Sequence, residues 1–181
     1  MERLRGTFAP MDRDELKTLQ APLKAQYRES PETAMITLEA SGELGSASVS
    51  CSVHTGQALV QAGLHPATGG DGLMACSGDM LLQALVACAG VTLRSVATAR
   101  GIDVRGGTVA TEGDLDFRGT LGVDREAPVG FSEIRLRFDL DTDAAPEDVA
   151  SLIETTERYC VVLQTLARSP RLSVEAVDSV G

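Results

Sequence analysis

The sequence predicts an α+β domain on three observations: short segments with alternating apolar residues, one long helix apolar on nearly every face, and a later amphipathic helix ahead of a last alternating segment. No internal repeat or low-complexity linker interrupts this order, so a single core is expected. The 181 residues, 43% hydrophobic and 23% charged, fit one ordinary domain. With no Trp, two Tyr and four Phe, that core must be packed from Ala, Val and Leu.

The chain opens with a predicted amphipathic helix over residues 12–27, where Leu16, Leu19, Leu23 and Tyr27 recur at helical spacing. Pro22 would kink it or divide it in two. Glu29-Ser-Pro31 ends the pattern, so residues 1–32 read as an N-terminal helical extension and 33–181 as the main domain. Residues 34–40 alternate as a strand, a turn is expected from Ser41-Gly42 to Gly45, and residues 46–53 return as the hairpin partner. Gly56-Gln-Ala-Leu-Val-Gln-Ala-Gly63 is one more strand or a helical turn, and His65-Pro-Ala-Thr-Gly-Gly-Asp-Gly72 is a loop. That loop lacks the G-K-[ST] ending of a P-loop and the G-x-G-x-x-G pattern, so nucleotide binding is not expected.

The long helix is predicted over 79–100, roughly 30 Å long, with Asp79 as its N-cap and Gly101 closing it. Its apolar surface calls for a central place, with sheet on one side and another element or subunit on the other. Strands follow over 104–117 and 131–140, the second alternating clearly in Ile134-Arg-Leu-Arg-Phe-Asp-Leu140, with a polar loop over 118–130. The later helix starts near Ala145-Pro146 and runs to about Leu166, and residues 172–177 alternate as a closing strand.

A net charge of −10 opposes binding to nucleic acid or an anionic membrane surface. The opening ten residues lack a signal-peptide core, and the apolar stretch 80–93 is too short and too polar at its flanks to span a bilayer, so a cytoplasmic location is the default. Cys51, Cys76, Cys88 and Cys160 form no C-x-x-C pair, and His54 and His65 add no zinc spacing, so no metal or bound cofactor is expected. In a reducing cytosol any reactive cysteine would act transiently, and a buried cysteine is commonly packing alone. Cys51 reads as filler of a strand face. Cys76, ahead of the long helix, sits where a thiolate would be stabilised. Cys88 lies about two turns inside that helix, too deep for the helix dipole to activate it, and so needs a neighbour.

Gly69-Gly-Asp-Gly72, the helix Met80-Leu-Leu-Gln-Ala-Leu-Val-Ala-Cys-Ala-Gly-Val-Thr-Leu93, and Glu157-Arg-Tyr-Cys-Val-Val162 together resemble the OsmC and organic-hydroperoxide-resistance superfamily, over residues 33–178. The resemblance implies an OsmC-like fold, curved antiparallel sheets around a long central buried helix, in an intertwined homodimer with sites at the subunit interface. It also implies a thiol peroxidase in which Cys88 is oxidised by an organic hydroperoxide or hydrogen peroxide and Cys160 resolves the sulfenic acid to a disulfide. An external dithiol, of lipoyl type, would then restore the thiols.

Two positions depart from the peroxidase pattern. Ten residues before Cys88 the family carries an acidic residue; here stands Gly78, with Asp79 next to it. The arginine expected in the early hairpin is missing, since no Lys or Arg occurs from 29 to 93. Arg28, an arginine of a partner subunit, His54, His65 or Cys76 are the candidates to support Cys88 in its place, whereas Arg94 points about 240° away around the helix. The departures leave a second reading: a noncatalytic OsmC-like dimer that binds an apolar small molecule at its interface.

Overall fold

A computed structural model of the chain describes residues 12–30, 41–44, 50–55, 58–122 and 124–176. Helix α1 (Arg13–Glu29) is anchored by a capping box, in which Asp12 accepts from the Glu15 amide at 2.8 Å and Glu15 accepts from the Asp12 amide at 3.0 Å. Pro22 lies inside this helix without dividing it. The expected strand over 34–40 lies outside the described residues.

Strands β1 (Ser41–Leu44), β2 (Ser50–Thr55) and β3 (Ala58–Gly63) form an antiparallel meander, with Leu44 opposite Cys51 and Cys51 opposite Ala62. The turn expected at Ser41-Gly42 is therefore strand. Pairing of Ser41 with His54 and Gly42 with Val53 overrides the local preference of Ser and Gly for a turn. The open choice at 56–63 resolves as strand. A parallel bridge between Ala62 and Ala75 then ties the loop to β3, through Gly63 N–H to the Ala75 carbonyl and Ala75 N–H to the Gln61 carbonyl, each 3.0 Å.

Helix α2 (Ser77–Arg100) begins two residues earlier than expected: Cys76 is its N-cap and Asp79 falls within its first turn. Gly101, at φ 70°, ends it in the left-handed conformation that a glycine adopts without strain. Its length and composition would suffice to cross a membrane, because the helix extends beyond the apolar stretch 80–93 at both ends. The helix contacts α1, the strand Gly106–Leu115 and the helices Pro146–Tyr159 and Val161–Ala167. Within the single chain one stripe of it, Leu85, Ala89, Leu93 and Ala97, is buried, while Val91 is 73% exposed.

β4 (Gly106–Leu115) and β5 (Phe131–Asp141) pair antiparallel with Val109 opposite Phe138 and Gly113 opposite Ile134, and their register shifts at Asp114/Leu115. The alternation seen in sequence is realised: Ile134, Leu136 and Phe138 pack against the buried α2 residues, while Arg135 projects outward and pairs with Asp114 at 2.5 Å. The loop between them is not wholly irregular, because Asp116 caps a single turn, α3 (Phe117–Thr120).

The later helix is two helices, α4 (Pro146–Tyr159) and α5 (Val161–Ala167), broken at Cys160, whose ψ of 107° is extended. The core lies where these meet α2. Leu93, Ala97, Val104 and Leu152 form one buried cluster, and Leu85, Ala89 and Cys160 the other. The expected closing strand is absent over 172–176, which forms no ladder and leaves Leu172 and Val174 81% and 96% exposed. Alternation alone does not make a strand when no edge receives it.

Candidate functional site

Cys88 and Cys160 meet at the junction of α2 with the α4–α5 break. Cys160 is fully buried beside Leu85 and Ala89, and Cys88 packs on the same cluster with Val162 and Leu163. The two sulfurs are near enough for each to perturb the ionisation of the other. Both are free thiols.

The break supplies what a continuous helix would withhold. In an unbroken helix the Val161 amide would bond the Glu157 carbonyl. Instead the Gln164 side-chain amide donates to that carbonyl at 2.8 Å, and the amides of Val161 and Val162 turn toward Cys88. Cys160 N–H still bonds the Thr156 carbonyl at 2.8 Å and the Cys160 carbonyl receives the Gln164 amide at 2.9 Å, so the bend stays anchored on both sides. Cys160 stands at the N-cap of α5 with its sulfur near the amides of Leu163 and Val162, without a full cap hydrogen bond.

The two thiols are driven apart in acidity. Burial works against ionisation of Cys88, but hydrogen bonds from the Val162 amide, the Cys160 thiol, the Thr92 hydroxyl and the Val161 amide outweigh it, and its pKa lies below that of an ordinary thiol. Cys160 shifts upward, first through burial and then through the hydrogen bond and negative charge of Cys88, against the pull of the Leu163 and Val162 amides. Cys88 is thereby the more acidic thiol of the pair and Cys160 the less acidic.

Among the described residues, the groups that lower the Cys88 pKa are hydrogen-bonding dipoles. Several arginines are engaged elsewhere: Arg105 with Asp141 and Asp143, Arg118 with Asp116, Arg135 with Asp114 and Glu133, and Arg100 with the Ser151 hydroxyl. Arg94 donates to the Val104 carbonyl, in keeping with its expected direction away from Cys88. Arg28 lies near the end of α1, with its side chain outside the described residues, as are those of Cys51 and His54 on β2.

Cys76, Asp79 and His65 gather at the other end of α2. Cys76 precedes Cys88 by about 18 Å of helix axis, so none of the three reaches Cys88 of its own chain. They line adjoining clefts of ≈ 320 and ≈ 420 Å³, the larger walled by Leu64, Leu81, Leu115, Phe117 and Phe131. His65 stacks on Phe117 with ring centroids 5.0 Å apart, and its Nδ1 accepts the Ala67 amide at 3.1 Å. A Cβ at Gly78 would meet Phe131 at 3.4 Å and the Cys76 sulfur at 3.6 Å, ordinary van der Waals contacts, so packing does not by itself demand a glycine there. Gly113 opens room for the same ring, since a Cβ there would come within 2.6 Å of Phe131. Among the described residues no group of three or more His, Cys, Asp or Glu is placed to hold a metal.

Sequence reasoning missed Thr92 and the two valine amides. Thr92 was accessible through its i+4 spacing from Cys88; the amides had no signal in the sequence, because nothing in Thr155-Thr-Glu-Arg-Tyr-Cys-Val-Val162 marks a helix break.

No curated protein matches the chain. Solved structures with the same fold include the OsmC-like protein of Mycoplasma pneumoniae, at 19% identity over 74% of this chain and 89% of that one, with a TM-score of 0.62. Organic hydroperoxide resistance proteins of Elizabethkingia anophelis and Legionella pneumophila are each 16% identical over 75% of this chain and 91% of theirs, with TM-scores of 0.59 and 0.58. The OsmC-like protein family model matches residues 70–175, well over half of the sequence and including both Cys88 and Cys160, and the chain belongs to that family.

Proposed function

We propose that this protein is a thiol peroxidase that reduces organic hydroperoxides or hydrogen peroxide, acting in the cytoplasm in the response to oxidative stress. The observation that carries the reading is the meeting of Cys88 and Cys160 on one buried cluster, with the acidity of the first raised and that of the second lowered. Relatives of the same fold named for organic hydroperoxide resistance support it.

In this reading the Cys88 thiolate attacks the distal peroxide oxygen, and the O–O bond breaks with its electron pair leaving on the alkoxide. The Cys160 thiol gives its proton to that alkoxide, so the products are Cys88 sulfenic acid, an alcohol and a Cys160 thiolate. Cys160 then attacks the sulfenic sulfur and expels hydroxide, which leaves a Cys88–Cys160 disulfide. An external dithiol of lipoyl type exchanges with the disulfide, returning both thiols while it is itself oxidised. The protein works as a homodimer, and Asp79, His65 and Cys76, distant from Cys88 in their own chain, would act on it only from the second copy.

Intact mass after one equivalent of cumene hydroperoxide tests this. The expected change is the loss of two hydrogens per chain, abolished by Cys88→Ser; an unchanged count of reduced thiols overturns the reading. A second reading, binding of an apolar small molecule without turnover, is favoured only by the ≈ 420 Å³ cleft with its leucine and phenylalanine walls. A ligand that copurifies and is retained by Cys88→Ser, in protein whose thiols ignore the hydroperoxide, would favour it.

A further inference from the structure

In a continuous helix residue 164 would stand roughly 10 Å along the axis from residue 157, beyond the reach of a glutamine side chain. The break at Cys160 closes that gap: the Gln164 side-chain amide donates to the Glu157 carbonyl at 2.8 Å. Through its backbone N–H the same residue donates to the Cys160 carbonyl at 2.9 Å. Gln164 therefore ties the first turn of α5 to the last turn of α4 across one residue, Cys160, whose ψ of 107° makes the bend. The Glu157 carbonyl is also the acceptor that a continuous helix would give to the Val161 amide. The side chain occupies the group on which straightening depends.

We infer that Gln164 is a positioning residue for Cys160: it holds the α4–α5 break in place, so that the buried cysteine stays on the cluster it shares with Cys88. The inference rests on the proposed disulfide chemistry of the pair and names the side chain that keeps the pair prepared for it. Cys160 is fully buried with Leu85 and Ala89, so its approach to Cys88 is set by the course of the main chain rather than by a free swing of the side chain. Neither Gly nor Pro stands between 157 and 164 to impose the break. The Gln164–Glu157 hydrogen bond exists in the broken form alone, and its full strength therefore weighs on the balance between broken and continuous helix. Without it residues 157–164 can wind on as one helix, and closing the disulfide then requires breaking that helix again.

Two measurements on the full-length chain test it, with Gln164→Met, which keeps the length and removes the donor, and Gln164→Lys, which restores a donor on a similar stem. In the reduced protein the Cα carbon resonance of Cys160 reads its backbone angle, and Gln164→Met is expected to move it from the extended toward the helical range. In glutathione buffers, quenched with acid and read by intact mass, the Cys88–Cys160 disulfide forms as oxidised glutathione takes up the two hydrogens and leaves as two reduced molecules. Gln164→Met is expected to lower the ratio of disulfide to dithiol about fivefold, the worth of one neutral hydrogen bond. Gln164→Lys restores both readings, and Thr165→Val, which loses a hydrogen bond inside α5, changes neither. In a Gln164→Met protein that thermal unfolding shows to be folded, an unmoved Cys160 resonance overturns the inference, and so does a moved resonance with an unchanged ratio. A wild-type chain that forms no disulfide with glutathione overturns the peroxidase reading instead, and the resonance still decides the role of Gln164.

Discussion

A thiol that ionises readily in a chain of net charge −10 has to overcome both its own burial and the field of an acidic protein. Cys88 does so through short-range donors, and Cys160 depends on the same contact in the opposite sense. As pH rises, Cys88 is therefore expected to become reactive before an ordinary thiol and Cys160 after one. The sign follows from the shifts: a lowered pKa exposes thiolate at lower pH, and a raised one delays it. Cys160→Ala removes a donor from Cys88 and should move its alkylation midpoint upward, toward that of an unperturbed thiol; residue-resolved alkylation across pH checks both statements. The pair itself was legible in sequence, through resemblance and through their places on two helices. The groups that act on Cys88 were not, since the arginine expected in the early hairpin is missing there and two of the donors near Cys88 belong to the backbone.

At the scale of elements, periodicity located the segments and tertiary pairing set their ends. The Ile134–Leu140 alternation was read correctly because a one-sided sheet face demands it. The start of α2 was misplaced because Asp79 is a good capping residue, yet the bridge between Ala62 and Ala75 fixes the chain just ahead of Cys76 and starts the helix there. The break between α4 and α5 escaped notice because neither Gly nor Pro announces it. Leu152, fully buried on α4 against Leu93 and Ala97, ties the first of these helices to α2. Leu152→Ala should cost about 2–5 kcal/mol in denaturant unfolding, as a large-to-small change in a packed core does. Since α4 ends at the break, the same variant should also loosen the contact of Cys160 with Cys88.

The whole molecule leaves apolar surface uncovered: Val91 midway along α2, and Leu172 and Val174 beyond α5. An isolated chain seldom exposes such residues along a central helix, and a second copy is the proposed cover. Sedimentation is expected to give a dimer, and Val91→Glu, which would bury a charge in that contact, should shift it to monomer. The family fold was accessible from sequence because it follows from element order and two cysteine motifs, whereas the unpaired segment 172–176 was read as strand because alternation does not say where an edge is free. The bend at Cys160 has one more consequence. A cationic side chain can be removed by a single change of codon, but the Val161 and Val162 donors belong to the main chain, and every residue except proline supplies the same group. In the proposed mechanism the donors nearest Cys88 are therefore written in the path of the backbone, where comparison of side chains between relatives would pass over them.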